Sequence, residues 1–149
     1  MNVQQLVDAI ASFDAPDALP STLSVDDWKL LTPYLSQRFL SEGEALMRQG
    51  ENERVLFILV EGELQVVIRG NVVAQVSPGE VVGEGTFFSG ASRSATVKAC
   101  KSGVAWALSW ERYEAMCAKH PKLALDLTIS LASVLANRMR EAILVGQFT

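Results

Sequence analysis

The segment VVGEGTFFSGASRSAT, residues 81–96, carries three glycines, and its Arg93 and Ser94 lead into another predicted strand. Glycine lets a ligand approach the backbone closely and leaves N–H groups accessible to phosphate oxygens. Arg93 is a planar cation that can pair with two such oxygens, and Ser94 adds a hydroxyl. A carboxylate repels phosphate, so Glu84 is better suited to accept a hydrogen bond from a ribose hydroxyl. Spacing alone leaves open a simple surface ion pair between Glu84 and Arg93.

Short β-branched runs separated by glycine-containing turns surround this segment. One such turn is expected at Glu61–Gly62–Glu63. Regularly spaced short strands are typical of a β-sandwich or a closed roll. The predicted strands are Ala45–Gln49, Val55–Val60, Leu64–Arg69, Val72–Val76, Ser94–Ala99 and Gly103–Ser109.

Helical spacing of apolar residues appears at both ends of the chain. Val3–Phe13 is predicted to be a helix, and Ser24 is a predicted N-cap for a second helix that continues through Leu35. Near the other end, Glu111–Lys119 is a short predicted helix. Pro121 suits the first turn of a long final helix that continues to about Val145.

The final helix has more apolar surface than an ordinary surface helix needs. Its polar residues form one narrow stripe, and the rest of its circumference is apolar. This pattern predicts burial on two sides, against the chain's own strands and against a second subunit. The alternative is a helix buried deeply within a monomer. The polar stripe consists of Asp126, Ser130, Ser133, Asn137 and Arg140.

The residues Gly83-Glu84 and Arg93-Ser94-Ala95 closely resemble the phosphate-binding cassette of the cyclic-nucleotide-binding family. Val55–Leu64 resembles the family's central hairpin, and roughly Pro33 to Arg140 fits the family as a whole. The resemblance implies a mainly β fold, a double-stranded β-helix jelly roll of eight strands. N-terminal helices and a long C-terminal helix would flank this β-roll.

In that family the cassette glutamate binds the ribose 2′-OH, and the arginine and its neighbouring serine hold the cyclic phosphate. The resemblance assigns these roles to Glu84, Arg93 and Ser94. Ala95 completes the motif. Backbone N–H groups near Gly83, Gly85 and Thr86 are the remaining expected contacts.

Two positions depart from the family pattern. Gly85 replaces an aliphatic residue, so the cassette is expected to be more flexible and to bind more weakly. Arg138 and Met139 occupy positions from which the family contacts the base. Arg138 is expected either to stack on or bond to a base, or to pair with Glu141 one turn along the helix.

The resemblance and the patterning predict one domain in three parts. These are an N-terminal helical segment at 1–32, a β-roll at 33–110 with its cassette at 81–96, and C-terminal helices at 111–149.

Composition excludes several other function classes. The 149 residues carry a net charge of −4 with no block of Lys or Arg, so direct DNA binding is not expected. His120 is the single histidine, which cannot build a His-rich metal site. The longest unbroken aliphatic–aromatic run, Val55–Val60, is too short to span a bilayer, and the N-terminus lacks the pattern of a signal peptide. No catalytic constellation, metal or cofactor is expected, and the cytoplasm is the expected location.

Two function classes remain. One is a sensor that binds cAMP or cGMP and signals to an unknown effector by moving its C-terminal helix, most simply as a homodimer. The other is an interaction or dimerisation module that keeps the fold but binds no ligand. Glu84 and Arg93 together favour the sensor.

Overall fold

The computed structural model describes residues 23–144 together with Gln4, Val7 and Asp8, which are helical. The rest of the predicted Val3–Phe13 helix and the chain after Leu144 lie outside the described residues. Val7 packs against the core beside the helices that follow.

An antiparallel sheet forms the centre of the molecule. Its main path runs β1-β6-β3-β4, with β2 paired to β6 and β5 paired to β3. This mainly β architecture with flanking helices confirms the predicted fold class. The six strands of the described part are β1 (Ser36–Leu40), β2 (Ala45–Met47), β3 (Val55–Ile68), β4 (Asn71–Val76), β5 (Val81–Val82) and β6 (Thr96–Ser109).

The turn predicted at Glu61–Gly62–Glu63 is wrong. The chain continues through it as β3, a strand of 14 residues, and β6 is equally long. The two strands change register between Leu59 and Leu64 instead of ending there. Each of them therefore replaces two predicted strands. Ser94, predicted as the first residue of a strand, lies just before β6. Neither β1 nor β5 was predicted.

The side chains of β3 point alternately into two cores. Leu56 and Ile58 face a core shared with the helices, whereas Phe57 and Leu59 face the interior of the roll. A strand buried on both faces has no polar alternation, which explains the continuous apolar run that begins at Val55.

Four α-helices surround the sheet between residues 23 and 144. They are α1 (Val25–Leu31), α2 (Glu84–Ser89), α3 (Trp110–Lys119) and α4 (Pro121–Leu144). Ser24 caps α1 as predicted, because its hydroxyl accepts a hydrogen bond from the Asp27 amide at 3.1 Å. The helix ends four residues before the predicted Leu35, and a 3₁₀ turn, Thr32–Tyr34, follows it. Among the helices described, none combines the length and hydropathy needed to cross a membrane.

The long helix α4 presents two apolar faces. One packs on the roll through Leu123, Leu127, Leu131 and Val134, each at most 4% exposed. On the other face Leu125, Ile129, Met139 and Ile143 are 54–59% exposed. Among the described residues nothing covers this second face, so they do not bear out the alternative of a helix buried deeply within a monomer. The polar stripe is not continuous either, since Ser130 is buried against the roll.

Gly103 marks the closest approach of β3 and β6. A Cβ atom on Gly103 would overlap the carbonyl oxygen of Glu61 and lie 2.9 Å from Gly62 Cα. We expect Gly103→Ala to lower the free energy of unfolding by about 2 kcal/mol or more, because backbone atoms of both strands must move apart. Urea denaturation followed by circular dichroism measures the effect.

Gly85→Ala is the matched control, since a Cβ there meets no atom within 4 Å. Alanine also favours helix by about 1 kcal/mol over glycine, so this control is expected to be neutral or stabilising. Equal stability of Gly103→Ala and the unmodified protein would contradict the close approach.

Candidate functional site

A cavity of about 310 Å³ lies between the roll, the segment from Gly83 to Thr86, and α4. All eight residues predicted from the sequence line it. They are Gly83, Glu84, Gly85, Thr86, Arg93, Ser94, Ala95 and Arg138. The sequence had not identified the apolar wall opposite them, formed by Met47, Val66, Ala74, Val76, Val82 and Val97, or the nearby Gln75. Successive side chains of a strand point to opposite faces of the sheet. This alternation along the predicted strands could have placed part of the wall in the interior of the roll.

Arg93 is the most unusual group in the cavity. It is only 4% exposed, and its guanidinium donates to the carbonyl oxygens of Gly83 at 2.9 Å and Val55 at 2.7 Å. Within the described part of the chain no carboxylate forms an ion pair with it. Burial lowers the pKa of Arg93 from its ordinary value, and the more distant charges of Glu53, Glu51 and Glu84 only partly oppose this effect. The site therefore holds a desolvated cation that lacks a paired anion.

Backbone contacts fix the position of this arginine. The amide of Arg93 donates to the carbonyl of Glu51 at 2.5 Å, and its carbonyl accepts from the amide of Gly50 at 2.9 Å. Gly83 has φ +86°, and a Cβ there would lie 2.6 Å from Arg93 Nη1. Only glycine therefore allows the guanidinium to reach the Gly83 carbonyl.

Glu84 is paired with Arg138, which reaches it from α4. Both side chains are largely buried, with 12% and 24% of their surfaces exposed. The second guanidinium nitrogen of Arg138 donates to the carbonyl of Val81 at 2.6 Å. These contacts fasten the long helix to the start of α2.

The sequence expectation placed Arg138 either on a base or beside Glu141 and did not include the pairing with Glu84. Because Arg138 also lines the cavity, its contact with a base stays a prediction. Arg138 extends the series Leu127, Leu131 and Val134, whose 4-3-4 spacing defines the face of α4 that packs on the roll. This spacing is visible in the sequence and could have placed Arg138 on the face of α4 that packs on the roll. Met139 lies on the opposite, exposed face and does not line the cavity.

Phe87 anchors α2 to the helices beyond the roll. Its ring is fully buried and makes edge contacts with Phe88, Trp110 and Tyr113 at centroid distances of 5.1–5.3 Å. These contacts hold α2 against the start of α3.

The fold and the cavity together define a class, a β-roll with a partly open pocket that is lined by a buried arginine and by Arg138 of the C-terminal helix. The model of the family described as "Cyclic nucleotide-binding domain" matches residues 37–120, and the chain belongs to this family.

Individual relatives match the chain over more residues than that region contains. The chain is 28% identical over 125 residues to the cyclic AMP receptor protein of Thermus thermophilus, covering 80% of this chain and 56% of that protein. It is 33% identical over 113 residues to an uncharacterized protein of Mycobacterium tuberculosis, covering 71% of this chain. The chain spans only 21% of the mycobacterial protein's length.

Solved structures agree in fold. A cyclic nucleotide-binding domain from Methylobacillus flagellatus KT superposes with a TM-score of 0.82 at 22% identity, covering 94% of this chain and 79% of that one. The catabolite activator protein of Thermus thermophilus gives a TM-score of 0.72 at 28% identity, with coverages of 83% and 58%.

Proposed function

We propose that this domain binds a cyclic nucleotide, cAMP or cGMP, in the cavity at Arg93 and acts as a non-catalytic sensor. The observation that carries the proposal is the buried Arg93 guanidinium, which borders a cavity of about 310 Å³ and pairs with no carboxylate among the described residues. A cyclic phosphate carries one negative charge and can accept charge-assisted hydrogen bonds from a guanidinium. Its binding would supply the missing counterion.

The remaining groups of the cavity suit the other parts of the ligand. Ser94 is exposed at the cavity wall and can donate its hydroxyl to the phosphate. Gly85 and Thr86 lie in the first turn of α2, where backbone N–H groups lack intrahelical partners. Arg138 contacts one carboxylate oxygen of Glu84, and the other is available to a ribose hydroxyl. The apolar wall of the roll would then face the base.

Signalling would pass through α4. Glu84 would bind the ribose and Arg138 at the same time. A ligand at Glu84 would therefore change the ion pair that connects α4 to the cassette. A ligand shifts a conformational equilibrium only by binding one state more tightly than the other. The similarity to a protein named cyclic AMP receptor protein supports this assignment.

A second candidate is a fold-retaining interaction module that binds no nucleotide. It is favoured by the Arg138–Glu84 ion pair, which already fastens α4 to the cassette and occupies one oxygen of the ribose-binding carboxylate.

Calorimetric titration with cAMP and with cGMP distinguishes the two candidates. We expect at least one nucleotide to bind, and Arg93→Ala to weaken binding by about 100-fold or more, because a buried phosphate would lose its charged partner. The matched control is Arg48→Ala, whose side chain is exposed and lies outside the cavity. This control should bind as the unmodified protein does.

Gly83→Ala gives a second, independent comparison. This substitution forces the Arg93 guanidinium out of place and should weaken binding, whereas the Arg48→Ala control should not. The absence of any heat or thermal shift for unmodified, folded protein at roughly millimolar nucleotide would contradict the sensor and leave the interaction module.

We also propose that two copies of the chain pair through the exposed face of α4. Its apolar residues recur with alternating spacings of four and three, the spacing of a two-stranded helical seam. The small side chains of Ala132 and Ala136 would allow two helices to approach closely. The residues of this face are Leu125, Ile129, Ala132, Ala136, Met139 and Ile143.

Light scattering coupled to size exclusion tests the pairing. We expect twice the chain mass of 16.2 kDa for the unmodified protein. Ile129→Glu should weaken dimerisation by about 100-fold or more, because it would place a charge in an apolar seam. Glu141→Lys, an exposed change off that face, is the control and should remain dimeric. A strictly monomeric unmodified protein would contradict the proposed seam.

A further inference from the structure

Arg54, the residue immediately before β3, contacts two separate parts of the molecule, the end of α2 and the start of α3. Its guanidinium donates through Nε to the carbonyl of Phe87 at 2.8 Å and through Nη2 to the carbonyl of Phe88 at 3.0 Å. Its Cζ atom lies 3.7 Å from the centroid of the Trp110 ring. Its own carbonyl accepts a hydrogen bond from the Trp110 amide at 2.9 Å.

The next residue along the chain belongs to the phosphate site. The carbonyl of Val55 accepts a hydrogen bond from Arg93 at 2.7 Å. The dipeptide Arg54–Val55 therefore connects the cationic group of the cavity, the end of α2 and the beginning of α3. Phe87 and Phe88 lie in the last turn of α2, whose carbonyls lack partners within the helix.

The geometry of this contact depends on the shape of the guanidinium. Two N–H groups that form the fork of the planar guanidinium reach two successive carbonyls, and its Cζ atom lies over the indole ring. A displacement of α2 must therefore either break these hydrogen bonds or carry the guanidinium across the Trp110 ring. A lysine ammonium has the charge but lacks the fork.

From Trp110 the connection continues to α4. Tyr113 stacks on Trp110 with ring centroids 5.2 Å apart, and its hydroxyl is hydrogen-bonded to that of Thr128 on α4. Packed aromatic rings and a hydroxyl pair thus connect the start of α3 to the long helix.

We propose that Arg54 is a positioning residue for the phosphate site. It holds α2 so that Gly83 and Glu84 keep their places beside Arg93, and it transmits displacement of α2 to Trp110 when the cavity fills. The inference rests on the proposed nucleotide-binding function and adds a route to the C-terminal helices that is separate from the Glu84–Arg138 contact.

Fluorine NMR of 5-fluorotryptophan-labelled protein tests this role. The chain has three tryptophans, so three resonances are expected, and Trp110→Phe identifies the Trp110 line. In the otherwise unmodified protein, saturating nucleotide should shift the Trp110 line. The lines of Trp28 and Trp106, both buried in the core, report whether each variant is folded.

In Arg54→Met, which keeps an unbranched stem but loses the charge and the fork, the Trp110 shift on adding nucleotide should disappear. Nucleotide affinity measured by calorimetry should fall by about 10-fold. Arg54→Lys should show the same loss, because it restores charge without the fork, and it also serves if Arg54→Met does not fold. Arg48→Met is the matched control and should behave as the unmodified protein does.

The outcomes separate this inference from the function on which it rests. If the unmodified protein binds no nucleotide, the proposed function fails and the inference fails with it. If the protein binds but Arg54→Met retains the Trp110 shift and the affinity, only the role of Arg54 is overturned. Full recovery of both readouts in Arg54→Lys would likewise overturn the positioning role of the fork.

Discussion

A buried guanidinium that pairs with no carboxylate in the part of the chain that the structure describes is the constraint on which the rest of the site depends. Arg93 is held by the carbonyls of Gly83 and Val55 and by its own backbone contacts to the Gly50–Glu51 turn. Removing a cation from water is costly, and neutral carbonyls compensate for only part of that cost. An anion that enters the cavity offsets the remainder, so binding and folding stability should be linked. The left-handed Gly83, where a side chain would collide with the guanidinium, belongs to the same arrangement.

The fold produces this arrangement because each face of β3 packs against a different hydrophobic core. One core fills the roll and forms the apolar side of the cavity, whereas the other carries Phe87, Trp110 and the buried face of α4. The cavity therefore lies where the roll, α2 and α4 meet. Two polar connections cross this junction, Arg138 to Glu84 from the long helix and Arg54 to the end of α2. Each couples the cavity to the C-terminal helices at a different point.

The sequence could predict the site better than the path of the chain around it. One short segment contains Gly83, Glu84, Arg93 and Ser94. The charges and hydroxyl of these side chains indicate phosphate and ribose contacts without knowledge of the fold. The continuity of β3 through Glu61–Gly62–Glu63 depends instead on the facing strand, because the register changes where Gly62 meets Gly103. β5 has only two residues, too few to show a period. The partner of Arg138 depends on how α4 is rotated against the roll. Because most of the circumference of α4 is apolar, the pattern alone does not separate its exposed face from its buried face.

The central claim is that Arg93 receives the phosphate of a cyclic nucleotide. NMR of the arginine Nε–H groups observes this contact most directly, with the Arg93 resonance assigned by its loss in Arg93→Lys. The account predicts a saturable shift of that resonance as cyclic nucleotide is added, and a matching shift of the nucleotide's phosphorus resonance. An Arg93 resonance that does not move at nucleotide concentrations saturating the protein, or a protein that never saturates, would contradict it.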